Sequence, residues 1–320
     1  MIILMAKTPS WGAVDNFYRA FRSQGIDVTL LCHKLDKYKR TELENIVTVL
    51  DRKSARFWLR EMGREKTIVF LFGPPSIKSL HVYYDKHQRN ALLRELKNPV
   101  IFITGTKYEK NYQYWNNFFD KYNFRVRFCE PGRIMYNPQK NIPLFHPMEY
   151  NDIDKTKNER ITVSHAPGMY ERVERKGTDK VMKGIEMARK KVDFDYDHIV
   201  GVPLRQCLKR KAKSHIFIEH VNPIIGNVGK NGFEAIALNC VTLCSINRFV
   251  QHFRNFYYTS HPFIDVQNEY EVAERLVDLI SNRNKLLYEI KKVSTWKSTI
   301  NYKNTVNYIL EVLGKEGIKL

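Results

Sequence analysis

The chain has 320 residues, 43% hydrophobic and 12% aromatic, with 53 Lys+Arg against 34 Asp+Glu for a formal net charge of +19. That length exceeds what one compact core serves and predicts two α/β domains, while the apolar fraction excludes a mainly disordered chain. The basic excess runs through both halves, 25 against 14 acidic residues in 1–150 and 28 against 20 beyond. It is therefore no detachable tail, and it predicts an anionic partner: nucleic acid, an acidic polymer or a membrane surface. Apolar runs such as Ile68 to Phe72 have strand length, far short of the ~20 residues of a spanning helix. Met1 to Met5 is too short for a signal-peptide core, so the expected location is the cytoplasm. Five scattered cysteines (Cys32, Cys129, Cys207, Cys240, Cys244) show no CxxC or zinc spacing and read as reduced thiols.

The first forty residues read as strand Ile2 to Met5, a turn from Lys7 to Gly12, a helix near Ala13 to Gln24 and strand Val28 to Cys32, a βαβ unit. The turn carries one glycine, Gly12, and lacks GxGxxG; it reads equally as a plain βα loop and as a phosphate loop. Arg52, Arg56, Arg60 and Arg64 then recur every four residues, which on a helix keeps them within a band about 120° wide. With Glu61 and Glu65 beside it, this stripe is equally a polyanion-binding face and an ordinary solvated one. Phe57, Trp58, Leu59 and Met62 are expected on its buried side.

Strand Thr67 to Phe72 ending in Gly73-Pro74-Pro75, a helix near Tyr84 to Leu96 and strand Val100 to Ile103 ending in Thr104-Gly105-Thr106 continue a parallel, doubly wound pattern. Lys107 to Trp115, running on to Arg125 and Arg127, interleaves aromatic and basic residues; the rings read more readily as core than as stacking platforms. Pro138 to Pro147 is rich in Pro and Asn and 151–160 is highly charged, so the interdomain linker is expected there.

A second alternation follows: strand Ile161 to Ser164, helix Asp179 to Lys191, strand His198 to Val202, helix Leu204 to Lys213, strand Ile216 to Ile218, helix Gly232 to Leu238 and strand Val241 to Cys244, with a helical tail after Ser281 broken near 299–304. The expected limits are 1–155, 156–293 and a tail, 294–320, packing back toward the first domain. Lys176 at a strand-to-helix junction is well placed for a diphosphate, next to the N–H groups of a helix start. The glycines of Gly226 to Gly232 let backbone approach a phosphate, with Glu234 just inside the helix they introduce.

The series His165-Ala166-Pro167, Lys176-Gly177-Thr178-Asp179, Gly201-Val202-Pro203-Leu204, Ser214 to His220 and Gly226 to Leu243 resembles the nucleotide-binding domain of the large retaining glycosyltransferase family (group 1, family 4 type) with its HAPS…KGT, GVP, DQ and GxYGxxxxEAMA motifs. The match spans about residues 161–245. The resemblance implies an α/β protein of two Rossmann-like doubly wound domains facing across a cleft, the GT-B fold, with a nucleotide-sugar donor in the second domain. It implies Lys176 and a second cation, Arg172 or Arg175, on the leaving diphosphate. It further implies backbone contacts from Gly229, Lys230 and Asn231, Glu234 on the ribose hydroxyls, Val202, Pro203 and Leu204 along the base, and Gly12 as a donor-side residue of the first domain. The implied donor is UDP-linked, transfer retains configuration, and no metal or other cofactor is required. The first domain would take the acceptor, with Arg56, Arg60, Arg64 and Lys107 as candidates. A family histidine would fall at Thr104, so no catalytic base carries over.

Three readings follow. The chain transfers sugar to hydroxymethylated DNA, as a phage-encoded enzyme of the host cytoplasm; or to an envelope glycolipid or polysaccharide at a membrane; or it is a non-catalytic nucleic-acid-binding protein on a GT-B-like scaffold. The composition tilts toward DNA. Asp193, Asp195 and Asp197 mimic a metal-binding DxD, but they precede a strand, where a solvated loop is the better reading.

Overall fold

The computed structural model describes residues 1–6, 14–32, 48–49, 57–58, 60–73, 86–104, 108, 110–168, 173–247 and 261–319. These form two compact units, Met1–Pro147 with Tyr302–Leu320, and Met148–Asn301.

The first unit carries seven strands: β1 (Ile2–Ala6), β2 (Val28–Cys32), β3 (Thr48–Val49), β4 (Ile68–Phe72), β5 (Asn98–Ile103), β6 (Val126–Cys129) and β7 (Asn141–Pro143). They lie in the order β3-β2-β1-β4-β5-β6-β7, and every pairing is parallel. Side chains alternate across a strand. Accordingly Ile2, Leu4, Phe70, Phe72, Phe102 and Phe128 pack with Phe17 and Phe21 of helix α1 (Val14–Ser23) on one face. Ile3, Met5, Val69, Leu71, Ile101 and Ile103 pack on the other, which also takes Leu92 and Leu93 of α2 (Lys86–Glu95) and Trp115, Phe118 and Phe119 of α3 (Tyr112–Lys121). The aromatic run after residue 107 is thus core; of its rings Tyr114 stays exposed.

Three expectations change here. Phe57 is 57% exposed instead of buried, while Trp58 and Met62 do join the core; Leu59 lies outside the described residues. The Pro/Asn-rich stretch is linker only in part: Asn141–Pro143 extends the sheet beside β6, and the division between the units falls at the end of the stretch, inside the region expected for the linker. The units divide at Pro147/Met148 and Asn301/Tyr302, against 155 and 293 from sequence. The carboxyl-terminal helix Tyr302–Lys315 brings Val306, Ile309 and Leu313 onto the α1 face, an apolar stripe that completes this core.

The second unit has β8 (Thr162–Gly168), β9 (Asp195–Val200), β10 (Ile216–His220), β11 (Val241–Cys244) and β12 (Phe263–Asp265), in the order β12-β11-β10-β8-β9, all parallel. Among the described residues it also carries a one-turn helix, Val173–Lys176, and the helices α4 (Thr178–Arg189), α5 (Leu204–Lys213), α6 (Lys230–Ala237), α7 (Glu269–Ser281) and α8 (Arg283–Trp296). Sequence order reverses between β8 and β10, so the segments leaving their carboxyl ends diverge there, at the position where parallel sheets of this kind hold ligands. Lys176 follows β8 and Gly229 follows β10. No described helix is long and apolar enough to cross a membrane.

Candidate functional site

At the reversal point the two strands are clamped by a histidine. His165 is fully buried, with Nδ1 2.7 Å from the Ile218 carbonyl oxygen and Nε2 2.9 Å from Thr178 Oγ1. A carbonyl only accepts, so Nδ1 carries the proton and Nε2 accepts from the Thr178 hydroxyl. Burial pushes the His165 pKa down to about 3, and the ring stays neutral. This histidine braces β8, β10 and the start of α4.

The turn before α4 is stitched to the segment after β10. The Val221 N–H donates to the Lys176 carbonyl at 3.0 Å, and Asn222 Nδ2 to the Arg175 carbonyl at 3.0 Å. Gly177 adopts φ +61°, and a Cβ on it would run into the Val221 carbonyl oxygen. Only glycine meets both demands, and Lys176 is thereby delivered to the carboxyl end of the sheet.

Lys176 Nζ donates to Glu219 Oε1 at 3.1 Å. Glu219 ends β10, is wholly buried, and accepts the Gly229 N–H at 2.9 and 3.2 Å. A Cβ at Gly229 would stand 2.7 Å from Glu219 Oε1, and one at Gly232 would overlap Oε2. The space these glycines leave beside α6 is therefore filled by a carboxylate of the chain itself. Burial raises the Glu219 pKa above the usual carboxylate range, against the opposing pull of Lys176 and the Gly229 N–H.

Deeper along α6, Glu234 is 2% exposed and its Oε2 lies 2.6 Å from Lys211 Nζ. Lys211 also donates to Asn231 Oδ1 at 2.9 Å and sits 4.8 Å from the Phe217 ring centroid, while Asn231 Nδ2 donates to the Ala166 carbonyl. Burial works to lower the Lys211 pKa, but Glu234, together with Cys207 and Glu219, more than offsets it and holds it above the ordinary lysine range. Sequence reading missed Lys211 and Glu219. For Lys211 a signal existed: of the basic residues in α5 it falls in phase with buried Leu208 and Ala212.

The remaining candidates scatter. Val202, Pro203 and Leu204 follow β9; Val202 and Leu204 lean on the core and Pro203, exposed, precedes α5. Arg175 is exposed. Lys230 and Asn231 form the first turn of α6. Arg60 is exposed, and Arg64 pairs with Glu61 at 2.8 Å, as on a solvated face. Arg172, Gly12, Arg56 and Lys107 lie outside the described residues. Asp195 and Asp197 lie within edge strand β9, where a loop was expected. Asp193 and Asp195 pair with Arg160, and Asp197 with Arg210, at the strand's amino end, away from the carboxyl-end site. Among the described residues no three or more His, Cys, Asp or Glu gather as metal ligands.

No protein-family model matches the chain, and neither does any curated sequence. Solved structures do. An α-glucosyltransferase in complex with UDP and a 13-mer DNA containing an HMU base is 13% identical, with a TM-score of 0.58 over 94% of this chain and 95% of that one. T4 phage BGT in complex with UDP and Mn2+ is 10% identical, TM-score 0.51, over 100% and 99% of the two chains. WaaG, a glycosyltransferase involved in lipopolysaccharide biosynthesis, is 10% identical, TM-score 0.50, over 96% and 98%. The chain has the GT-B glycosyltransferase fold.

Proposed function

We propose that this protein transfers a sugar from a nucleoside-diphosphate sugar, UDP-linked, to a hydroxyl of an anionic acceptor. One observation carries the reading: at the strand-order reversal of a GT-B second domain, Lys176 and the amino end of α6 converge within hydrogen-bonding distance of a single anionic group. A departing nucleoside diphosphate gains negative charge as the glycosidic bond breaks, and preorganised cations and N–H dipoles stabilise that charge most in the transition state. In this scheme Lys176, with Arg172 or Arg175, takes the diphosphate. Lys230 and Asn231 supply backbone N–H groups; Gly229, the notional third donor, has its one N–H on Glu219 and sets where that helix turn begins, and Val202, Pro203 and Leu204 flank the base. Glu234, oriented from within by Lys211, meets the ribose hydroxyls; its burial makes it the least accessible of the set.

For the acceptor we favour DNA bearing a hydroxymethylated base. The +19 charge suits a polyanion, and one structural neighbour was solved on HMU-containing DNA. Arg56, Arg60, Arg64 and Lys107 are the proposed contacts. A membrane glycolipid is the second reading, favoured by the same charge and by the lipopolysaccharide enzyme among the neighbours. Transfer is proposed to retain configuration and to proceed without a metal, a point that needs its own test because another neighbour was solved with Mn2+.

Nucleotide sugars should raise the melting temperature; absence of any shift would favour a non-catalytic scaffold. Labelled sugar should then pass to hydroxymethylated duplex DNA, with turnover surviving EDTA. Binding to DNA should weaken steeply with salt, each neutralised phosphate adding about −0.9 to the log–log slope. Transfer to lipid extracts alone, or sedimentation with anionic vesicles without DNA binding, would shift the acceptor to the membrane.

A further inference from the structure

We propose that Glu219 is a positioning residue for sugar transfer: its one buried carboxylate fixes both the Lys176 ammonium and the Gly229 end of α6 in place for the leaving diphosphate. This rests on the donor-site reading above. The lysine and the helix start assigned to the diphosphate come from segments far apart in sequence, and the Glu219 carboxylate joins them: it lies 3.1 Å from Lys176 Nζ and accepts the Gly229 N–H at 2.9 Å, which fixes the first turn of α6, the source of the N–H groups assigned to the ligand.

A carboxylate removed from water is costly unless paired and hydrogen-bonded. Glu219 meets both conditions, and the glycines at 229 and 232 leave the room it fills. The neighbouring His220 ring, 3.8 Å from Oε2, is kept neutral by burial, so the positive charge answering Glu219 comes from Lys176 first and then from the more distant Lys211. Exposure differs across the pair: the Glu219 side chain is 0% and that of Lys176 17% accessible. The lysine thus spans from a fixed internal anchor toward solvent. An ammonium has three N–H donors, so one spent on Glu219 leaves two for phosphate oxygens. Lysine is a point charge on a flexible stem, and anchoring one donor restricts the other two. Such a device acts on the charge that grows at bond cleavage and should appear in kcat more than in ground-state affinity.

The alternative is that Glu219 competes with the donor for the same two groups. Glu219→Gln, Lys176→Ala and the double variant separate these, read by UDP binding and by hydrolysis of a panel of UDP-, GDP- and dTDP-sugars. We expect Lys176→Ala to lower kcat about a hundredfold. Glu219→Gln should lower it about tenfold with the UDP Kd within about threefold, and should add less than about twofold in the Lys176→Ala background. Tighter UDP binding with kcat intact would establish the competitor and overturn the proposal. So would an equal loss from Glu219→Gln in both backgrounds, which marks a scaffold role. If Glu219→Gln does not fold, Gly229→Ala, which crowds the carboxylate without removing its charge, is held to the same cycle. A wild type that neither binds UDP nor hydrolyses any sugar defeats the donor reading itself, a result distinct from wild-type turnover without coupling.

Discussion

The second unit holds ion pairs of two kinds. Beside the strand-order reversal, Lys211–Glu234 and Lys176–Glu219 are withdrawn from water, with side-chain exposures of 0%/2% and 17%/0%. At the amino end of β9, Arg160–Asp193 and Arg160–Asp195 stand at 52%/84% and 52%/49%. The residue types are alike and the consequences are not. An exposed pair exchanges one hydrated state for another and contributes little. A buried pair must form, since either partner left alone is an uncompensated charge in a medium that cannot hydrate it. The difference is one of place: the sealed charges lie beside the strand-order reversal, and the solvated ones at the acidic cluster that mimics a metal motif.

The strongest way to break this comparison is Lys211→Met. It strands Glu234 in the core and should destabilise the fold by about 3–5 kcal/mol, measured by urea unfolding, whereas Lys211→Met with Glu234→Leu should recover most of the loss. A single variant as stable as wild type would mean the pair is not buried in solution.

The same burial is sharpened by pH. His165 has a folded pKa of about 3 against about 6.5 unfolded. A depressed histidine binds no proton in the fold while the unfolded chain does, so its contribution is full above pH 6.5 and is lost as pH falls toward 3. The expected slope is about 1.4 kcal/mol per pH unit. His220, also held low by burial, adds in the same direction. Urea midpoints at pH 7, 6 and 5 test this, and His165→Gln should flatten the trend.

The smallest expected effect lies at the other end of the sheet. Arg160→Ala, which removes an exposed partner of Asp193 and Asp195, should shift stability by less than about 1 kcal/mol. A larger loss would mean that the acidic edge is not merely solvated.

Much of the architecture was legible in the chain, for a local reason. Alternation of Ile2 and Leu4 against Ile3 and Met5, or Phe70 and Phe72 against Val69 and Leu71, marks a strand buried on both faces wherever it ends up. The Lys176-Gly177 junction and the spacing of Gly226, Gly229 and Glu234 pointed to the second half as the candidate donor domain. The sequence could not announce β3, β7 or β12, of two or three residues each, since so short a strand is defined by the neighbour it pairs with and not by its own pattern.

By itself, then, the sequence determined the two α/β halves, the basic character and the order of the candidate donor motifs, because periodicity, charge and turn chemistry are properties of neighbouring residues. Only the tertiary structure decided what those motifs touch. Glu219 meets a lysine 43 residues before it and a backbone N–H ten residues after it, and Lys211 meets Glu234 across two elements. Whether a charged side chain is solvated or sealed depends on how the segments leaving β8 and β10 close over it. No local pattern encodes that closure, because the cost of burying a charge is set by everything packed around it.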